Sequence, residues 1–155
     1  MSLILDIVRH GEAVERHADG DAARPLTPRG VAAARRLALA LRRELWQPDR
    51  LFASPYARAQ QTAQLLAESC GLAVVTMRDL EPESPPQRVI EALLFEGAAT
   101  GHAVLVAHLP LVERLHHLLA DGEAAQWMPG SLVRIELPAG LAQRGRVTWV
   151  WTPST

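Results

Sequence analysis

Lysine is missing altogether: all 16 basic residues are arginine. That removes Schiff-base chemistry and the phosphate-binding lysine of a P-loop. Cysteine is almost missing too. Cys70 stands alone, so neither an internal disulfide nor a multi-cysteine zinc site can be built. It follows a helical pattern and precedes Gly71, which marks a half-buried structural thiol. An excess of either charge is also lacking. The 16 basic and 17 acidic side chains leave a net charge of −1, so no general attraction to nucleic acid or to an anionic membrane is expected. No apolar run is long enough to span a bilayer, and the N-terminus has no basic stretch followed by a long apolar core. The expectation is a soluble, cytoplasmic protein with no nucleic-acid or membrane partner.

What is present argues for an ordered α/β fold. A chain of 155 residues that is 48% hydrophobic can bury a substantial core as one domain over 1–155. Leu3-Ile4-Leu5-Asp6-Ile7-Val8 and Ala103-Val104-Leu105-Val106-Ala107 are apolar runs of the kind found in strands buried on both faces of a parallel sheet. Shorter strands are expected at Arg50–Ala53 and, near an edge, at Ala73–Thr76. Alternating runs at Leu132–Leu137 and Val147–Trp151 read as a terminal hairpin. Thr27 is a good N-cap and Pro28 suits the first position of a helix running to about Leu45. Its apolar positions Val31, Ala34, Leu37, Leu41 and Leu45 recur at helical spacing, and Arg35, Arg36, Arg42 and Arg43 form a wet face. Ser54-Pro55 repeats the cap-and-proline pattern and opens a second helix to about Ser69. Further helices are expected over Gln87–Gly97 and Leu111–Leu119. Glu12 to Arg24 reads as a loop over the sheet edge.

The two apolar strands end alike, one in Arg9-His10-Gly11 and the other in His108-Leu109-Pro110. Ligands of open α/β sheets sit just past the carboxyl ends of the strands. If the two strands are neighbours, they lie about 5 Å apart, and both imidazoles can face one ligand. Arg9 offers a planar fork of donors for an anion. Gly11 allows a sharp turn and a close approach of ligand to backbone. Arg58 falls in the first turn of the second helix, where a cation works against the helix dipole and phosphate is welcome. That conflict marks Arg58 as a site candidate, with a plain surface arginine as the alternative. Two guanidiniums and two imidazoles suit a tetrahedral dianion. A neutral histidine among arginines can accept a phosphoryl group covalently, with no cofactor or metal ion.

Val8-Arg9-His10-Gly11-Glu12, Pro25-Leu26-Thr27-Pro28-Arg29-Gly30, Ser54-Pro55-Tyr56-Ala57-Arg58 and Val106-Ala107-His108-Leu109-Pro110 resemble, in order, the signature blocks of the histidine phosphatase superfamily. The small size and the His-Leu-Pro block are most similar to its SixA-type phosphohistidine phosphatases. The resemblance implies the phosphoglycerate mutase-like fold, a three-layer sandwich of helices around a mostly parallel sheet. It implies His10 as the phosphate-accepting nucleophile, with Arg9, Arg58 and His108 lining the pocket and Gly11 beside the substrate. Arg24 matches an arginine near the pocket in the SixA-type branch. Larger relatives carry an acid that protonates the leaving group. Here Glu81 or Glu83 occupies the equivalent loop, with an exposed loop carboxylate as the alternative reading.

A phosphohistidine substrate needs such an acid less than an ester does, since its ring can bring its own proton. Little sequence is left for walls around a small substrate, which suits a shallow site open to a protein. The expectation is therefore a metal-independent phosphatase of phosphohistidine on a phosphotransfer protein in signal transduction, as a monomer. Alternatives are a phosphatase of small phosphoesters and a non-catalytic phosphate-binding module.

Overall fold

A computed structural model describes residues 1–123 and 126–153. Its centre is a sheet of seven strands in the order β3-β2-β4-β1-β6-β7-β5. The strands are β1 (Leu3–Arg9), β2 (Arg50–Ala53), β3 (Val74–Thr76), β4 (Gly101–Ala107), β5 (Ala120–Asp121), β6 (Leu132–Leu137) and β7 (Gly145–Trp151). β1 pairs with β4 and β4 with β2 in parallel, and only β6 runs against its neighbours. The four helices are α1 (Pro28–Arg43), α2 (Ala57–Cys70), α3 (Pro86–Phe95) and α4 (Leu111–Leu119). This is the expected three-layer α/β architecture, with a mixed sheet.

Side-chain alternation along β1 explains the layers. Leu3, Leu5 and Ile7 enter a core shared with Val89, Leu93 and Leu111 from the α3–α4 side. Val8 points the other way, into a core with Leu37, Leu41 and Leu66 from α1 and α2. Asp6 also points away from the first core and is fully buried. The β6–β7 hairpin is as expected, and Trp149 and Trp151 are half-buried against the second core.

Three local readings need correction. α1 ends at Arg43, and Leu45 is 84% exposed in a left-handed conformation (φ 55°), while Trp46 fills the buried position. A Leu at helical spacing looked like the last core contact, but the chain had already turned out. β5 was not expected; two residues are too short to show alternation. Ser54 does not cap α2, which begins at Ala57 after Tyr56 without a side-chain cap.

The Pro-Leu-Thr-Pro-Arg-Gly block fastens α1 to the end of β1. Thr27 accepts from the Gly30 N–H at 3.0 Å, and its own N–H donates to the Glu12 carbonyl at 3.0 Å. A Cβ on Gly30 would lie 2.2 Å from that carbonyl oxygen, so this approach requires glycine.

Candidate active site

Three neighbouring parallel strands end together, and their sequence continues into Ser54, His108 and His10. The ladder extends past them: the His10 N–H donates to Ala107 O and the Ser54 N–H to Val106 O, both at 3.0 Å. The two imidazole centroids are consequently only 4.9 Å apart. Arg58 reaches in from the first turn of α2, and its Nε donates to His10 Nε2 at 3.3 Å. Its side chain is buried despite its charge. Arg9, His10, Arg24, Arg58 and His108 all line one open cavity of about 370 Å³.

A carbonyl acceptor fixes the tautomer of His10, and a hydroxyl partner selects that of His108 by which way it donates. His10 Nδ1 lies 2.7 Å from the Gly11 carbonyl and must carry the proton, which leaves the Nε2 lone pair facing Arg58. Burial pushes His10 down to about 4; the Gly11 carbonyl resists, and the positive Arg58, Arg9 and Arg24 push further. Burial likewise lowers His108 to about 3, helped by His10 and Arg58. Both rings are therefore neutral at pH 7. Ser54 Oγ accepts from the Tyr56 N–H at 3.2 Å and lies 2.7 Å from His108 Nε2. With the hydroxyl proton donated to that nitrogen, the ring proton of His108 sits on Nδ1.

Two buried donors here have no partner among the described residues: His108 Nδ1 and Arg9 Nε. Buried polar atoms are almost always satisfied, so unpaired donors at one cavity point to an incoming acceptor. Arg9 is otherwise anchored, with Nη1 donating to the Trp127 carbonyl at 2.6 Å.

The remaining expected residues divide. Arg24 is at the cavity, tied to Asp21 Oδ1 at 2.9 Å and to the Val14 carbonyl at 2.7 Å. Gly11 does not line it. Its N–H donates to Thr62 Oγ1 at 3.1 Å and its carbonyl holds His10, so it orients the ring from behind. Glu81 and Glu83 line an adjoining hollow with Tyr56 and Arg78, and only Pro82 between them reaches the cavity of His10 and His108. The carboxylates that do line it are Glu12 and Asp21.

Sequence reasoning missed Asp21 and Ser54. Asp21 receives Arg58 Nη1 on its carbonyl at 2.8 Å and Nη2 on its carboxylate at 3.2 Å. The hydrogen bond from Arg24 holds its carboxyl below the usual range against desolvation, and the hydrogen bond and charge of Arg58 add to it. Among the described residues, no group of three or more His, Cys, Asp or Glu is arranged to hold a metal ion. Among them, too, no helix is long and apolar enough to cross a membrane.

Comparison with known proteins gives one consistent result. The family model described as histidine phosphatase superfamily (branch 1) matches residues 5–82. Phosphohistidine phosphatase SixA of Escherichia coli strain K12 is 30% identical over 155 residues, covering 96% of this chain and 91% of that protein. The structure of the protein histidine phosphatase SixA complexed with tungstate superposes with a TM-score of 0.85 at 28% identity, covering 97% of each chain. A probable phosphoglycerate mutase, GpmB of Yersinia enterocolitica, is 37% identical over 93 residues, covering 56% of this chain and 42% of that one.

Proposed function

The chain belongs to the histidine phosphatase superfamily and is a phosphatase by that membership; from this premise we propose that His10 is its nucleophile and that its substrate is phosphohistidine on a partner protein. The observation that carries the reading is the convergence of a neutral His10 with unpartnered donors of Arg9 and His108 at one open cavity.

The Nε2 lone pair of His10 attacks phosphorus. The P–N bond to the substrate imidazole breaks, and its electron pair stays on a ring nitrogen that leaves as neutral imidazole because the other nitrogen was already protonated. Water then attacks the phosphorus on His10, releasing inorganic phosphate and restoring the ring. Arg9, Arg58 and Arg24 supply cationic charge for the transferring group, as preorganised donors do in phosphoryl transfer. His108 donates from Nδ1 to a phosphoryl oxygen while remaining neutral.

The carboxylates at the cavity favour this leaving group. Asp21 is kept ionised by two guanidiniums and is a poor proton donor. Glu12 accepts from Thr27 Oγ1 at 2.9 Å on the rim. Glu81 and Glu83 open onto the next hollow. A substrate that arrives with its own proton needs none of them. SixA, the relative matched over nearly its whole length, carries the name phosphohistidine phosphatase, which supports the same substrate. A histidine phosphotransfer domain is the kind of protein that presents it.

The test has two halves. Rapid quenching with a labelled phosphohistidine protein should trap label on the enzyme, and His10→Ala should lose both the label and at least about a thousandfold in rate, as loss of a nucleophile does. Labelling that survives His10→Ala overturns the mechanism. Faster hydrolysis of sugar or nucleotide phosphates than of phosphohistidine overturns the substrate.

A further inference from the structure

A second cavity, of about 430 Å³, adjoins the catalytic one and shares Glu12 and Pro129 with it. Arg29 and Arg36 of α1 stand on one side, and Met128, Pro129 and Pro153 on the other. Arg29, Arg36 and Arg43 recur every seven residues, so they form one stripe along the helix, about 21 Å long at the α-helical rise. All three are exposed.

The charge of this face is unbalanced. α1 carries five arginines and no acid within Pro28–Arg43, in a chain whose net charge is −1. Solvated helices ordinarily intersperse the two signs. Among the described residues, none of these arginines is in an ion pair. Glu12 is the carboxylate of the lining, and it stands where the groove meets the catalytic cavity, already engaged by Thr27. An anionic partner is therefore attracted at the Arg36 end.

We propose that the groove and the Arg29–Arg36–Arg43 stripe form the docking surface for an acidic segment of the phosphorylated protein, laid along α1 while its phosphohistidine enters the catalytic cavity. The proposal rests on the substrate reading above and extends it. The stripe is too long for a small metabolite, and the apolar wall of Met128, Pro129 and Pro153 fits the side chains of a peptide. Such rim charges act on encounter and affinity rather than on the chemical step.

The test uses the full chain and phosphohistidine peptides whose flanking positions are Glu, Gln or Lys, with free phosphohistidine as a substrate that cannot reach the groove. At low salt, kcat/KM should fall from Glu to Gln to Lys by about tenfold overall, through KM, as several exposed ion pairs would give. In Arg29→Glu/Arg36→Glu the order should vanish or invert, while turnover of free phosphohistidine is unchanged. Equal rates on the three peptides, or an order that persists in the variant, overturn the docking surface but leave the enzyme reading intact. If no peptide and no free phosphohistidine is turned over, the enzyme reading fails. Docking is then judged by fluorescence anisotropy of the same peptides, where a Glu preference lost in the variant supports it and no preference refutes it. Equal competition by a mixed oligonucleotide of matched charge also overturns an acidic protein as occupant.

Discussion

Asp6 lies within β1 and His10 just past its end, four residues on, and each gathers an arginine and a further histidine ring: Arg134 and His102 at Asp6, Arg58 and His108 at His10. Around Asp6 both carboxylate oxygens are engaged. Trp46 Nε1 donates at 2.9 Å, Arg134 Nε at 2.7 Å, and His102 Nε2 lies at 2.6 Å. Burial would raise this carboxyl, but the hydrogen bonds from His102 and Arg134 outweigh it and hold it ionised. Around His10 no carboxylate is hydrogen-bonded to either ring, Asp21 engaging Arg58 and Arg24 instead, and donors of Arg9 and His108 are left over. Both centres are buried, and an arginine and a histidine recur at both. Completeness separates them: a closed polar network braces the sheet, whereas one with vacant donors is waiting for a ligand.

The contrast is broken most severely at Asp6. Asp6→Asn removes the charge that Arg134 and His102 share and should cost about 3 kcal/mol of stability in urea unfolding, with the rate on phosphohistidine unchanged in the folded protein. Lost activity with stability intact would show that the closed cluster belongs to the site after all. Arg58→Ala should do the reverse, costing about 2–4 kcal/mol in transition-state stabilisation, as removal of one preorganised donor does, with little change in unfolding. A rate near wild type would remove Arg58 from the site.

Ser54→Ala sharpens the comparison at one hydrogen bond. It frees the tautomer of His108 and should lower kcat by about tenfold, a cost of about 1.4 kcal/mol, and Ser54→Thr should restore most of it. An unaffected kcat would show that Nδ1 needs no help to stay protonated.

The smallest expected change is none. The ring protons of His10 and His108 should keep neutral-imidazole NMR shifts from pH 8 down to 5, because their folded values are about 4 and about 3. The linked stability follows in sign. Below pH 6.5 the unfolded chain takes up protons that the folded one refuses until about 4 and about 3, so stability falls as pH falls through that window. A midpoint near 6.5 at either ring would show that it is hydrated like a surface histidine.

Much of this was legible in the residues. Each apolar strand carries its own histidine at its end, and a parallel sheet must bring such ends to one edge. Arg58 could be found because it violates the preference of a helix start. Ser54 could not. A serine before a proline reads identically as a helix cap, and its contact with His108 depends on β2 lying next to β4, which no local pattern states. Asp21 lies in a loop whose only marks are charge and a glycine. The role of Asp6 could not be read either, since its partners Trp46, His102 and Arg134 come from three distant segments. Spacing reports what one element does; it is silent on pairs that the strand order creates.

The pairing of Arg9 with Ala107 in the parallel register makes His10 and His108 the first residues past each strand. The juxtaposition of the two rings is thus inherited from interstrand ladders, not from the loops that wall the cavity. A one-residue deletion within β1 or β4 would throw the imidazoles out of step and abolish turnover, whereas lengthening the segments around Glu12–Arg24 or Glu81–Pro85 leaves them in place. Chemistry and selectivity can therefore diverge independently in descendants of such a chain.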